Sequence, residues 1–284
     1  MTPLRHKIRV LPGRKKMTPP LQMRKGVYVL PNLVTSGGLF CGFYSIIATL
    51  KEDYLMAAIA VLIAQVFDAL DGRVARITKT SSHFGVEYDS LSDVIAFGVA
   101  PGVLAYRWAL EPWGPWGWLA ASLYVICGAL RLARFNVQVE VVDKHSFVGL
   151  PIPAAAAVIA TTILMYDFLG GEGATNKHLT LLLLIYTLAL LMVSNIRYYS
   201  FKDLHFRHRQ PFWTLLLGIV LIQLVIAEPQ IMLFGISSLY ALSGPVRALG
   251  SLVWKATPHA TAPGLKASSH LLPRPLDSEE ESSL

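Results

Sequence analysis

Between Leu30 and Leu50 the chain runs for 21 residues without a single charged side chain. That length matches the roughly 20 apolar residues an α-helix needs to cross the hydrocarbon core of a bilayer. The feature recurs along the chain. Further apolar stretches lie at Tyr54–Leu70, roughly Asp89–Leu110, Trp113–Leu130 (extending toward Phe135), Val148–Tyr166, His178–Ile196, Pro211–Ala227 and Pro229–Val246, which makes eight. The last two are parted only at Glu228 and Pro229, a tight turn at a membrane face. Composition agrees: 54% of the 284 residues are hydrophobic and 15% are charged, against about 25% charged in a soluble domain. A soluble globular, disordered or coiled-coil protein is excluded. The expected fold is all-α, a polytopic membrane protein with about eight transmembrane helices. Cys41 and Cys127 both fall inside apolar runs, which argues against a disulfide or a zinc site.

Charge sets the expected orientation. Of the 25 Lys and Arg residues, 22 fall on one side of an eight-span arrangement, and only Lys51, Arg107 and Lys177 fall on the other. Positive loops stay cytoplasmic, so both termini are expected in the cytoplasm and the protein in the cell membrane, the inner one in a Gram-negative bacterium. An odd number of spans would spoil the count. The net charge of +7 therefore reads as orientation, with no call for a nucleic-acid partner. Residues 1–28 carry eight basic and no acidic residues, an orientation signal or a segment drawn to anionic lipid. Residues 29–250 form the expected membrane domain. Residues 251–284, rich in Pro, Ser, Ala and His and ending in DSEEESSL, read as a disordered cytoplasmic tail.

The chemistry concentrates between Asp68 and Asp93. Asp68 and Asp71 are three residues apart, and Asp89 and Asp93 four, so each pair shares one helix face. The pairs stand at the end of the second span and the start of the third, and a hairpin between those spans brings four carboxylates together. Four ionised acids there repel. Two divalent cations would balance them, and hard oxygen ligands suit Mg²⁺ or Mn²⁺. Two metals side by side serve phosphoryl-group displacement. Protonating some of the acids is the other remedy and suits a proton pathway. Neighbouring residues favour phosphate: Gly72 admits a ligand close to the backbone, Ala75 leaves room, and Arg76 offers a fork of donors to a diphosphate. Hydroxyls at Thr78, Thr80, Ser81 and Ser82 and a glycine at Gly85 complete the segment.

Asp68, Asp71, Gly72, Ala75, Arg76, Gly85, Asp89 and Asp93 together resemble the signature of the CDP-alcohol phosphatidyltransferases at all eight of its defining positions. Segments LPNLVTSGGLFCGFYSI, FDALDGRVAR, YDSLSDVIAFGVAP, ALRLARFNV and FVGLPIPAAA resemble the integral-membrane branch that uses serine as acceptor, over roughly residues 28 to 200. The resemblance implies a helical core with a cytoplasm-facing polar cavity, a homodimer, and an alcohol attacking the β-phosphoryl of CDP-diacylglycerol with CMP as leaving group. Carried over by position, Asp68, Asp71, Asp89 and Asp93 hold the metal, and Asp93 also takes the proton of the L-serine hydroxyl. Asn32, Gly72, Ala75, Arg76, Ser82 and Gly85 line the CDP-lipid site.

The acceptor is less constrained. Serine brings a carboxylate, and a cation on the cavity wall would meet it. Arg131 and Arg134, three residues apart at the end of the fourth span, followed by Asn136, are the candidates. Acceptors bearing a phosphate would want arginine too, so synthases of phosphatidylglycerophosphate, phosphatidylinositol or phosphatidylcholine stand as alternatives. An ion-coupled transporter would carry acids near mid-bilayer on discontinuous helices, whereas these acids gather toward one edge.

Overall fold

A computed structural model describes residues 29–78, 83–139, 147–198 and 226–256, together with 216, 218–220 and 223–224. Helix α1 spans Val29–Leu50 and α2 spans Tyr54–Thr78. Pro31, in the first turn of α1, sits where its missing N–H leaves no helical bond unmade. Between the two helices Glu52 takes a positive φ of 63°. Asp53 then caps α2, accepting the Met56 N–H at 3.1 Å. The two helices pack closely because α1 shows glycine to its neighbours. A Cβ on Gly37 would lie 2.8 Å from the Phe67 ring, and one on Gly42 would lie 2.6 Å from the Ala96 Cα. Small residues at membrane-helix contacts allow this approach.

The third span is one long, uneven helix. It opens as α3, His83–Asp93, widens into a π-helical segment at Val94–Val99, and returns to α-helix as α4, Ala100–Ala105. A second π-helical segment, Tyr106–Leu110, and a 3₁₀ turn, Glu111–Trp113, end it. Wide turns leave carbonyls to be satisfied from outside the helix. The fully buried Tyr124 hydroxyl donates to Phe97 O at 3.0 Å. Gly114, with a φ of 55°, turns the chain into α5, Pro115–Val139.

Helices α6, Ile152–Phe168, and α7, Leu179–Val193, follow, and α8 runs Pro229–Ala256. A two-residue antiparallel pairing, Phe147–Val148 with Arg197–Tyr198, joins the approaches to α6 and the exit from α7. Helix α6 lies against α2 and α8, while α7 lies against α5. The core is built from small side chains with a few large ones: Ala57, Ala64, Ala155 and Ala156 pack near Phe97, Leu104 and Ile159. Large apolar side chains such as Phe40, Phe43, Ile63, Leu130 and Leu239 face outward, as a surface in contact with lipid demands.

The all-α polytopic expectation holds. Among the described residues five helices are long and apolar enough to cross a membrane: Leu30–Leu50, Tyr54–Ala75, His83–Trp113, Pro115–Val137 and Pro229–Ala248. The fifth and sixth expected spans are apolar helices of 17 and 15 residues, and most of the expected seventh span lies outside the described residues. The third span starts at His83, earlier than the hydropathy of the stretch suggests. Helix α8 reaches Ala256, into the region expected to be tail. Residues 1–28 and 257–284 lie outside the described residues.

Candidate active site

Asp68 and Asp71 sit in the second half of α2, and Asp89 and Asp93 in the second half of α3. Helix α2 continues for ten residues past Asp68, to Thr78, about 15 Å at 1.5 Å per residue. The acids therefore lie within the helical bundle and not in the loop that joins its helices. One carboxylate oxygen each from Asp68, Asp71 and Asp89 lies within 4.8 Å of the others. Asp71 is 6% exposed, and the other two are half-buried. Asp93, also half-buried, stands beside this trio, within electrostatic reach of all three acids and of Arg131.

Helix α1 reaches the same place. Thr35 Oγ1 is 3.0 Å from Asp71 Oδ2, and the Gly72 backbone N–H also serves the Asp71 carboxylate. Ser92, buried between Asp89 and Asp93, donates to the Thr35 carbonyl at 3.3 Å. Ser36 and Tyr88 share a hydrogen bond of 2.9 Å, which fastens the middle of α3 to α1. Thr35, Ser36, Tyr88 and Ser92 escaped the sequence reading as site residues. Their signal was faint, an adjacent Thr and Ser in a charge-free span, because hydroxyls in such spans usually bond their own helix.

The acid trio suits a hard divalent cation. All its donors are carboxylate oxygens, their spacing lets one ion touch three of them, and Asp89 Oδ1 is buried with no hydrogen-bond partner among the described residues. Leaving such an atom bare is unfavourable, and a cation would satisfy it. Among the described side chains no Lys, Arg or His lies within 4.0 Å of these acids.

The remaining candidates divide. Gly72 is exposed, and a Cβ there would meet nothing within 4 Å, so the backbone is open to a ligand. Ala75 and Gly85 are half-buried nearby on α2 and α3. Asn32 is half-buried in the first turn of α1, its carbonyl accepting the Ser36 hydroxyl at 2.8 Å. The Arg76 side chain and the whole of Ser82 lie outside the described residues. Arg131 and Arg134, paired in the sequence reading, part company. Arg131 is 8% exposed, lies within electrostatic reach of Tyr240 and Asp93, and has an Nε without a partner among the described residues. Arg134 is exposed and donates to Asn195 Oδ1 at 2.9 Å. Asn136 donates to Ser90 Oγ at 2.9 Å, so it reaches α3 beside the acids.

The family model for CDP-alcohol phosphatidyltransferases matches residues 28–196. The chain belongs to that family. All four aspartates and the residues around them fall inside the matched segment. Among relatives, the CDP-diacylglycerol–serine O-phosphatidyltransferase of Helicobacter pylori (strain ATCC 700392 / 26695) is 42% identical over 80% of this chain and 94% of its own. The protein of the same name from Mycobacterium leprae (strain TN) is 37% identical over 59% of this chain and 57% of its own. The archaetidylserine synthase of Methanothermobacter thermautotrophicus is 38% identical over 60% of this chain and 69% of its own. As a CDP-alcohol phosphatidyltransferase with several membrane helices, the chain is a multi-pass membrane enzyme of phospholipid synthesis.

Proposed function

We propose that this phosphatidyltransferase moves the phosphatidyl group of CDP-diacylglycerol onto the hydroxyl of L-serine, giving phosphatidylserine and CMP. The observation that carries this reading is the likeness to the Helicobacter pylori serine transferase, which extends over 94% of that protein, beside an acid cluster that falls within the family-matched segment. In the reaction the serine oxygen bonds to the β-phosphorus, the bond from that phosphorus to the oxygen of CMP breaks, and the serine proton goes to a base. Asp93 is that base: it stands beside the acid trio with Arg131 close by. An alcohol is a weak nucleophile at neutral pH and needs such a group within hydrogen-bond reach.

Asp68, Asp71 and Asp89, with Asp93 beside them, would hold Mg²⁺ or Mn²⁺, two ions by charge balance. Bound there, such ions stabilise the negative charge that builds on the diphosphate. Asn32, Gly72, Ala75, Arg76, Ser82 and Gly85 line the CDP-lipid site. Arg131, buried and short of partners, meets the serine carboxylate with Asn136 nearby. Arg134, exposed and bound to Asn195, secures the end of α5. The enzyme is a homodimer whose acid end faces the cytoplasm, with residues 29–250 as its membrane domain and segments 1–28 and 251–284 in the cytoplasm. Single cysteines at positions 79 and 142 react only from the cytoplasmic side, and at 52 and 173 only from the other; the reverse pattern overturns the orientation.

The test of the reaction is direct. Purified protein with CDP-diacylglycerol and radiolabelled serine yields labelled lipid and CMP in equal amounts. CMP release with glycerol 3-phosphate, inositol or choline, and none with serine, overturns the acceptor while leaving the transfer chemistry intact.

A further inference from the structure

Thr35 and Asp71 are 36 residues apart in the chain, on different helices, and both are buried. The Thr35 hydroxyl stands 3.0 Å from Asp71 Oδ2 and 3.1 Å from the carbonyl oxygen of Pro31. It has one hydrogen to give. The Pro31 carbonyl is by helix geometry the acceptor for the backbone N–H of Thr35 itself, so it loses little if the hydroxyl turns away. The Asp71 carboxylate carries charge, and a hydrogen bond to a charged acceptor is the stronger of the two. The hydrogen therefore goes to Asp71. The same residue grips the second acid-bearing helix, since its carbonyl accepts the Ser92 hydroxyl one position before Asp93. The close approach of α1 at Gly37 and Gly42 holds Thr35 at this depth.

We propose that Thr35 is a positioning residue for the acid cluster: its hydroxyl fixes the orientation of the Asp71 carboxylate, and its backbone carbonyl holds the helix of Asp89 and Asp93 in register with it. It touches no reacting atom. Groups that hydrogen-bond a metal-ligating carboxylate fix its direction, and their loss typically weakens metal binding about 10–100-fold. The β-branched side chain suits the task, because its second substituent restricts rotation about the Cα–Cβ bond.

The inference rests on the cation-holding reading of the cluster, and its test keeps the two apart. Mn²⁺ is titrated into the detergent-purified full chain without substrates, and the bound fraction is read by electron paramagnetic resonance. Wild type, Thr35→Ser, Thr35→Val and Thr35→Ala are compared. Valine keeps the shape and removes the hydroxyl; alanine removes both, so a packing defect peculiar to one variant is not mistaken for the loss of a hydrogen bond. The expected result is Mn²⁺ affinity within about 3-fold of wild type for serine and weakened about 10–100-fold for valine and alanine. In assays, the Mn²⁺ concentration for half-maximal activity rises by the same factor, while the KM for serine stays put. Wild-type affinity in both hydroxyl-free variants overturns the role of Thr35 and leaves the cation site standing. A serine variant as weak as valine overturns the hydroxyl as the carrier. No Mn²⁺ binding by the wild type overturns the cation reading and this inference together.

Discussion

The two ends of the helix bundle treat acidic residues in opposite ways. At one end Glu52 and Glu111 share Arg107, whose two terminal nitrogens lie 3.2 and 2.8 Å from their carboxylates. Lys177 sits 4.5 Å over the ring of Trp113 close by. At the other end three aspartates crowd within 4.8 Å of one another, and among the described side chains none has a basic partner within salt-bridge distance. In the first arrangement each carboxylate meets the guanidinium, and the result clasps the turn after α1 to the end of the third span. The second is incomplete without something positive. On the proposed function, the contrast separates acids that serve the fold from acids that would hold a cation, and a sequence alone does not draw that line, since Glu and Asp read alike in both places.

The contrast breaks most sharply at Asp71. Asp71→Asn abolishes serine transfer, because an amide is a poor ligand for a hard cation and unbalances the cluster. Chelation by EDTA does the same to the wild type, reversibly on adding Mg²⁺ or Mn²⁺. Full activity in either case makes the acid end merely structural, like its opposite. Next comes Asp93. Its change to Asn lowers kcat by about 10²–10⁴-fold, the usual worth of a general base, with CDP-diacylglycerol binding changed less than about 3-fold. Equal losses in both quantities would make Asp93 a ligand and remove it as the base.

A smaller effect is expected at Arg131. Arg131→Ala raises the KM for serine by about 30-fold or more, from the roughly 2–5 kcal/mol that a buried, unpaired charge costs. Arg131→Lys raises it less, keeping charge but losing the two-pronged fit to a carboxylate. Arg134→Ala leaves it within about 2-fold. A serine KM unmoved in Arg131→Ala would send the search for the carboxylate's partner to the GLPIP segment at 149–153. The smallest effect belongs to the opposite end. Glu111→Gln lowers stability by about 0.2–1 kcal/mol, as expected for an exposed pair, and leaves turnover unchanged. Thermal melts and kcat measured on the same preparation check both halves.

Much of this was legible in the residues. The charge-free runs foretold the membrane helices, and the three- and four-residue spacing of the aspartates foretold that each pair shares a face. What was not legible depends on contacts between distant segments. Nothing near Thr35 says that its hydroxyl reaches past its own helix to Asp71. Arg131 and Arg134 look interchangeable at a spacing of three, yet about 60° of helix rotation turns one into the bundle and the other toward Asn195. The early start at His83 was hidden because Glu87 and Asp89 lower the hydropathy of a segment that is nonetheless helical.

The long third span carries a clasp at one end and a site at the other, with two wide turns between. Asp93 precedes the first of them, Val94–Val99, and Arg107 lies within the second, Tyr106–Leu110. A turn of the wider kind holds one residue more than its α-helical counterpart. Deleting a single residue within 94–99 would let that stretch relax to an ordinary helix with the angle across it kept, whereas straightening it with every residue in place would rotate everything beyond it by about 100° relative to Asp93. Arg107 would swing away from Glu52, or the aspartates would swing away from Thr35. The span thus works like a camshaft, in which the angle between two lobes matters more than the metal joining them.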